Sequence, residues 1–264
     1  MSNRHKKIGI KHVIRLEWMD KTLDMVLAGM SKNEIRDELN TYLADKKQSG
    51  GTGTRGKKTY IIAISILMQT WCNPDKDTKP FRDAALNYAK KNSDKTRLPL
   101  HWAMISAAYP FWAGVAKQIG RLLNLQDQIT KKQIIQRLKE QYGDRQTISR
   151  YARYVIRSFV AWDILKDTSI KGIYAQNKKD SVEQNQTLLL VESLLLASPE
   201  SSLSLKGTLN SPTLFPFQTS PITAGYVQKH CSRINVNQFS PGEEMINMVI
   251  LTNHGQTHTP PTAC

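Results

Sequence analysis

Cysteine is nearly missing from this chain. Cys72, Cys231 and Cys264 stand far apart among 264 residues, with no CxxC pair and no even framework. That argues against a disulfide-stapled secreted domain and against a cysteine-rich zinc site. Long apolar runs are also missing. The most apolar stretch of the first half, residues 60–68, is interrupted by Ser65 and is too short to span a bilayer. The first residues, MSNRHKK, carry charge with no apolar region behind them, so no signal peptide is expected. No paired carboxylates, nucleophile elbow or metal box stand out, so neither catalysis nor a cofactor is expected. With 40% hydrophobic and 22% charged residues, the chain is neither fully disordered nor collagen-like. The expectation is a soluble, cytoplasmic protein that does not associate with membranes.

What is abundant is positive charge, and it is unevenly placed. Lysine and arginine total 37 against 22 acidic residues, a net charge of +15. Residues 177–264 hold five basic and six acidic residues, a net of −1. Residues 1–176 hold 32 basic and 16 acidic, a net of +16. Such asymmetry suggests a polyanion-binding part joined to a neutral part.

The pattern of residues 1–125 predicts a helical bundle of about six helices. Leu16, Met19, Leu23, Val26, Leu27 and Met30 repeat with helical period, and Gly29 is a natural stop. Ser31 and Glu34 form a capping box for a helix carrying Ile35, Leu39, Tyr42 and Leu43 on one face. A Gly- and Lys-rich loop follows (46–56), then an apolar helix over 58–71. Pro80 opens a helix running to about Lys91, with Phe81, Ala85, Tyr88 and Ala89 inward. Residues 99–109 form another helix, and Pro110 starts the next, ending near Leu123.

Residues 126–176 read as a winged helix-turn-helix. A short strand at 128–129 leads to a capping box, Thr130 and Gln133, and to a helix ending at Tyr142. A tight turn at 143–146 precedes a longer helix, which Thr147 is expected to cap, with Ile148, Ala152, Val155, Phe159 and Trp162 in the core. Two strands, 164–167 and 170–174, flank Thr168 and Ser169. Residues 177–186 are polar enough to predict a linker. Residues 187–251 predict a small α+β module, with helices at 187–197 and 223–230 and strands at 233–239 and 245–251. That module is expected to contact protein and to be dispensable for DNA affinity. Residues 252–264 predict a disordered tail.

Three helix starts carry cations against the helix dipole, at a cost of roughly 0.3–1 kcal/mol each. They are Lys57 and Lys58, Lys131 and Lys132, and Arg145 with Arg150. A phosphate near those N–H groups would reverse the penalty. Plain solvent exposure is the competing account. Arg150, Arg153 and Arg157 then repeat along one face of the helix beginning near residue 147, opposite the apolar set, with Gln146, Thr147 and Ser149 close by. Arginine reads guanine and glutamine reads adenine in a major groove. No acidic residue lies on this helix before Asp163, so local pairing does not explain the stripe.

The loop GTGTRGKKT (51–59), which contains Arg55, resembles a phosphate-binding GxxxxGK[ST] loop. Lys58 occupies the magnesium-binding Ser/Thr position, and no buried strand precedes it. His101, among Trp102, Met104 and Ile105, reads as a hydrogen-bonded packing histidine. His254 and His258 lie in a segment broken by Gly255, unsuited to a metal-binding helix.

The layout resembles the BrxA family, accessory proteins of bacterial BREX phage-resistance systems. The resemblance rests on GMSKNEI (29–35), GTRGKKT (53–59), LHWAMISAAYPFWAGV (100–115) and a unit ending IRSFVAWDIL (156–165). It covers residues 12–176. It implies a helical body with winged-helix parts, double-stranded DNA binding and no catalysis. Other proteins of the defence system are then expected to dock on residues 187–251. The rival expectation is a helical scaffold whose basic face docks an acidic partner protein.

Overall fold

The structure is a computed structural model and describes His5, residues 8–44 and residues 57–249, with the backbone alone at 57–60. The loop at 46–56, with Arg55, and the tail at 252–264 lie outside the described residues. The described chain is mainly helical, with small sheets.

Six helices form the first part: α1 (Leu16–Leu27), α2 (Lys32–Ala44), α3 (Lys57–Trp71), α4 (Lys79–Lys91), α5 (Leu98–Ala108) and α6 (Pro110–Leu123). Gly29 has a φ of 78°, the left-handed region that glycine reaches without steric cost, and the chain turns there out of α1. The Ser31 N–H donates to Glu34 Oε2 at 2.7 Å and the Glu34 N–H to Ser31 Oγ at 3.3 Å, closing the expected capping box. Prolines open α4, α5 and α6, where a missing N–H costs nothing.

α5 is buried on every side from Pro99 to Ala108. Its Trp102 ring meets Phe159 at 4.9 Å, Trp112 at 5.9 Å, Phe217 at 5.8 Å and Phe215 at 6.0 Å between centroids. These partners come from three widely separated stretches of chain. The N-terminal segment joins the same core. The Ile14 N–H donates to Ser158 Oγ at 2.9 Å, and Trp162 Nε1 donates to the Ile14 carbonyl at 3.0 Å.

The middle of the chain runs β1 (Gln128–Thr130), α7 (Lys131–Tyr142), α8 (Gln146–Ala161), β2 (Leu165–Asp167) and β3 (Ile173–Gln176). β3 lies between β1 and β2, antiparallel to both, with Tyr174 opposite Ile129 on one side and Asp167 on the other. The second hairpin strand starts three residues later than the sequence pattern predicts. Thr168 Oγ1 donates to the carbonyls of Ile170 and Ile173, and Gly172 has a φ of 85°, so residues 168–172 are used up in the turn.

The polar stretch 177–186 is not a linker. It holds β4 (Asp180–Val182), which pairs in parallel with β6 (Phe217–Thr219), and the start of α9 (Gln184–Ala197). Its polar side chains are structural. Gln186 completes a capping box with Glu183 and donates to the Thr96 carbonyl at 3.2 Å, and Tyr88 donates to Glu183 Oε1 at 2.7 Å.

Residues 187–249 are likewise not a separable module. α9 lies against α5 and belongs to two cores. Leu189, Leu190, Leu194 and Leu196 enter the main one. Leu188, Val191 and Leu195 enter a second, with Leu205, Ile222, Val227, Cys231, Ile234 and Ile246. Around that second core lie β5 (Leu203–Ser204), α10 (Leu205–Leu209), α11 (Ala224–His230), β7 (Ile234–Ser240) and β8 (Glu243–Met248), with β8 central in its sheet. Glu192, fully buried on α9, accepts two hydrogen bonds from Arg233 at 2.6 and 2.8 Å. Removing residues 177–264 strips α5 of α9, so the remainder is not expected to fold as a native fragment.

Gly120 on α6 carries a sharp test of this docking. A Cβ there would lie 1.9 Å from the Pro212 carbonyl oxygen, a backbone atom of the 3-10 turn Pro212–Leu214. Gly120→Ala is expected to cost about 1–3 kcal/mol, read as a melting temperature several degrees lower. Gly225→Ala, where the nearest atom is 3.9 Å away, is the control. Equal melting temperatures for the two variants would count against the close approach.

Candidate nucleic-acid interface

The face of α8 follows from its apolar period. Ile148, Ala152, Val155 and Phe159 are fully buried, and Arg150, Arg153 and Arg157 stand exposed on the other side. Lys139, Asp144, Gln146, Thr147, Ser149, Arg150 and Arg153 line a depression of about 420 Å³ where α7 turns into α8. Six of the predicted site residues are thus close neighbours, with Arg145 at the turn: Gln146, Thr147, Ser149, Arg150, Arg153 and Arg145 itself. Arg153 Nε donates to the Ser149 carbonyl at 3.2 Å, and the Arg150 guanidinium lies 5.2 Å from the Tyr151 ring centroid. Among the described residues, no acid lies within ion-pair distance of Arg150 or Arg153.

Several expectations need correction. Thr147 does not cap α8: the cap is Arg145, in extended conformation, and Thr147 is the second helical residue. Arg150 therefore sits in the second turn, beyond the strongest reach of the dipole. Arg145 Nη2 donates to the Tyr142 carbonyl at 3.1 Å, at the negative end of α7, where a cation is favourable. Thr130 does cap α7, reciprocally with Gln133. Yet the Lys131 N–H donates to the Gly172 carbonyl at 2.8 Å and the Gln133 N–H to Thr130 Oγ1 at 3.1 Å. Those two donors are occupied internally, which weakens the case for an anion at this helix start. Lys57 does begin α3, but the side chains of Lys57 and Lys58, with Arg55, lie outside the described residues.

The arginine stripe is not free of acids throughout. Arg157 Nη1 donates to both carboxylate oxygens of Asp167, at 2.8 and 2.7 Å. The partner lies on β2, ten residues on, where inspection of the helix alone does not find it. Sequence reasoning also missed Lys139, which pairs with Asp144 at 2.7 Å, and the hairpin lysines Lys166 and Lys171. Lys139 was accessible to it, being in the last turn of a predicted helix that leads straight into the site. Lys131 stands at the other end of α7, about 12 Å from Lys139 by helix rise, beside the hairpin turn.

Elsewhere the titratable groups are structural. The buried His101 Nε2 lies 3.0 Å from Asp20 Oδ1, and its ring meets Trp71 edge-on at 5.5 Å. Cys72 and Cys231 are buried, which pushes each thiol up to about 11. The described element before residues 51–59 is the helix α2, whereas a phosphate-binding loop of that pattern follows a strand. Among the described residues, no His/Cys/Asp/Glu group could hold a metal ion, and no helix is long and apolar enough to cross a membrane. Comparison with protein families, with curated proteins and with solved structures found no match.

His101 gives a pH dependence. Burial holds its pKa below the ordinary value, against the opposing pull of Asp20. Its buried Nδ1 meets no acceptor, so a second ring proton would go unpaired. The unfolded chain takes up a proton near pH 6.5 and the folded chain only at lower pH. The unfolded state therefore binds more protons, and stability falls as pH drops below about 6.5. Melting temperatures measured down from neutral pH should fall more steeply for the native chain than for His101→Gln. Parallel curves would show that His101 contributes nothing to the acid limb.

Proposed function

We propose that this protein binds double-stranded DNA through α8, without catalysis. The carrying observation is the exposed pair Arg150 and Arg153, beside Gln146, Thr147 and Ser149, on a helix whose opposite face is buried. The order β1, α7, turn, α8, β2–β3 hairpin, with β1 and β2 flanking β3, supports reading residues 126–176 as a winged helix-turn-helix with α8 as the recognition helix. Gln146, Ser149 and Arg150, in its first turns, are the proposed base readers, since the N-terminal part of such a helix meets base edges. Arg153 is the proposed phosphate contact. Arg145, committed to the α7 carboxyl end, drops out of the base-reading set.

The resemblance to the BrxA family supports placing this binding in a bacterial BREX-type anti-phage system, as an accessory component in the cytoplasm. Other proteins of that system are proposed to dock on the near-neutral surface of residues 187–251. Genes for a methyltransferase, a phosphatase-like protein and an ATPase beside its own would support the assignment, and their absence would count against it.

The test of DNA binding is a salt titration on a duplex. The logarithm of affinity should fall linearly with the logarithm of salt, by about 0.9 for each phosphate contacted. Arg153→Ala should weaken all sequences alike and lower the slope by about one. Arg150→Ala should cost about 1–3 kcal/mol and relax preference at one position. Both should melt like the native chain, whereas Phe159→Ala, on the buried face, should lose about 3–5 kcal/mol of stability. No measurable affinity for a random duplex at low salt overturns this reading in favour of a scaffold with an acidic protein partner.

A further inference from the structure

A cavity of about 320 Å³ lies where α6, the end of α7, the end of α9 and the segment 203–213 converge. Part of its wall is apolar, from Pro110, Ala113, Leu194 and Leu203. The polar part is dominated by hydrogen-bond donors. Lys117 of α6 is exposed and, among the described residues, has no ion pair. Burial pushes the Tyr142 phenol up to about 12, so it keeps its proton at neutral pH. A Cβ at Gly114 would collide with Tyr142 Oη, so this glycine makes the room in which the phenol sits. Ser198, Ser204 and Ser211 each accept a backbone N–H, from Glu200 at 3.0 Å, Gly207 at 3.2 Å and Thr213 at 3.3 Å. A hydroxyl used as an acceptor still has its own proton to give. Among the described residues, none of the three gives it to the protein. Gln141 Oε1 accepts from Gln118 Nε2 at 2.8 Å, which leaves the Gln141 amide NH2 to donate. An ammonium, a phenol, an amide and three hydroxyls therefore border one cavity, and among the described residues no Asp or Glu lines it.

We propose that this cavity binds a small organic phosphate, a monoester whose charged group meets Lys117, Tyr142 and the serine hydroxyls and whose apolar part lies against Leu194 and Leu203. A lining that gives protons and carries one cation selects an acceptor-rich anion. The number of donors suits the three terminal oxygens of a phosphate better than the two oxygens of a carboxylate. The volume is at the small end of ligand pockets, too small for a dinucleotide. The site is separate from the proposed DNA-binding face: Gln146, Thr147, Ser149, Arg150 and Arg153 line a different depression.

The test is a calorimetric titration of the full chain at low salt with phenyl phosphate, beside inorganic phosphate and benzyl alcohol. Phenyl phosphate should bind saturably, one per chain. Inorganic phosphate, without the apolar part, should bind more weakly, and benzyl alcohol, without the charge, should not bind. Lys117→Gln should weaken phenyl phosphate by about tenfold, and Tyr142→Phe by several-fold. Lys90→Gln, at the exposed carboxyl end of α4, changes net charge equally and should bind as the native chain does. Binding is read directly, so a small loss of stability in a variant does not mimic the result. Equal weakening by Lys117→Gln and Lys90→Gln overturns the site in favour of diffuse surface charge. Binding that survives Lys117→Gln but is lost in Arg150→Ala/Arg153→Ala places the anion on α8 and also overturns it. So does the absence of saturable binding, or benzyl alcohol or inorganic phosphate binding as tightly as phenyl phosphate. A chain that binds phenyl phosphate as expected but no duplex keeps this site and loses the α8 reading.

Discussion

The contact on which the rest of this structure depends is the packing of Trp102 against rings from distant parts of the chain. Phe159 comes from α8, Trp112 from α6, and Phe215 and Phe217 from the segment after α10. An indole is large enough to be shared in this way, and edge-to-face geometry lets several rings converge on it. The consequence is mechanical unity. The helical bundle, the helix bearing the arginines and the C-terminal strands cannot move independently without breaking contacts to one side chain. α5, wrapped on all sides, is the axle of the molecule, and α9 is the piece that closes it.

Local patterns in the sequence were read well because their physics is local. The capping boxes of Ser31 with Glu34 and of Thr130 with Gln133 span three residues, and both form. The inner face of α8 follows from a 3.6-residue period, and each residue assigned to it is buried. Readings that depended on distant partners failed. The stretch 177–186 looks like a linker because it is polar. Its polarity serves caps and a parallel strand whose partner at Phe217 is not announced by any local signal. Arg157 looked unpaired because Asp167 is on another element. Arg145 looked like a cation opposing one dipole, whereas it completes the end of the helix before it. The division of the C-terminal third into its own module failed for the same reason: α9 is apolar all round because it faces two cores, not one.

The interface carries less free charge than a count of its arginines suggests. Arg145 is engaged with a backbone carbonyl, Arg157 with Asp167, and Lys139 with Asp144. Arg150 and Arg153 keep the freedom to meet an external anion. A net charge of +15 sets the long-range attraction for a polyanion, while these internal pairings decide which cations are available on contact. Affinity from the first source responds strongly to ionic strength, and geometry from the second is what distinguishes one duplex position from the next.

Ile14 holds two hydrogen bonds with α8, one to Ser158 and one from Trp162, across 144 and 148 residues of chain. Synthesis is directional, so the segment before α1 emerges long before its partners exist. At roughly 5–20 residues per second, the wait is on the order of 10–30 s. Through that interval Ile14, fully buried in the finished protein, lacks the partners that complete its backbone hydrogen bonds. The helix proposed to meet DNA thus takes part of its support from a segment synthesised well before it.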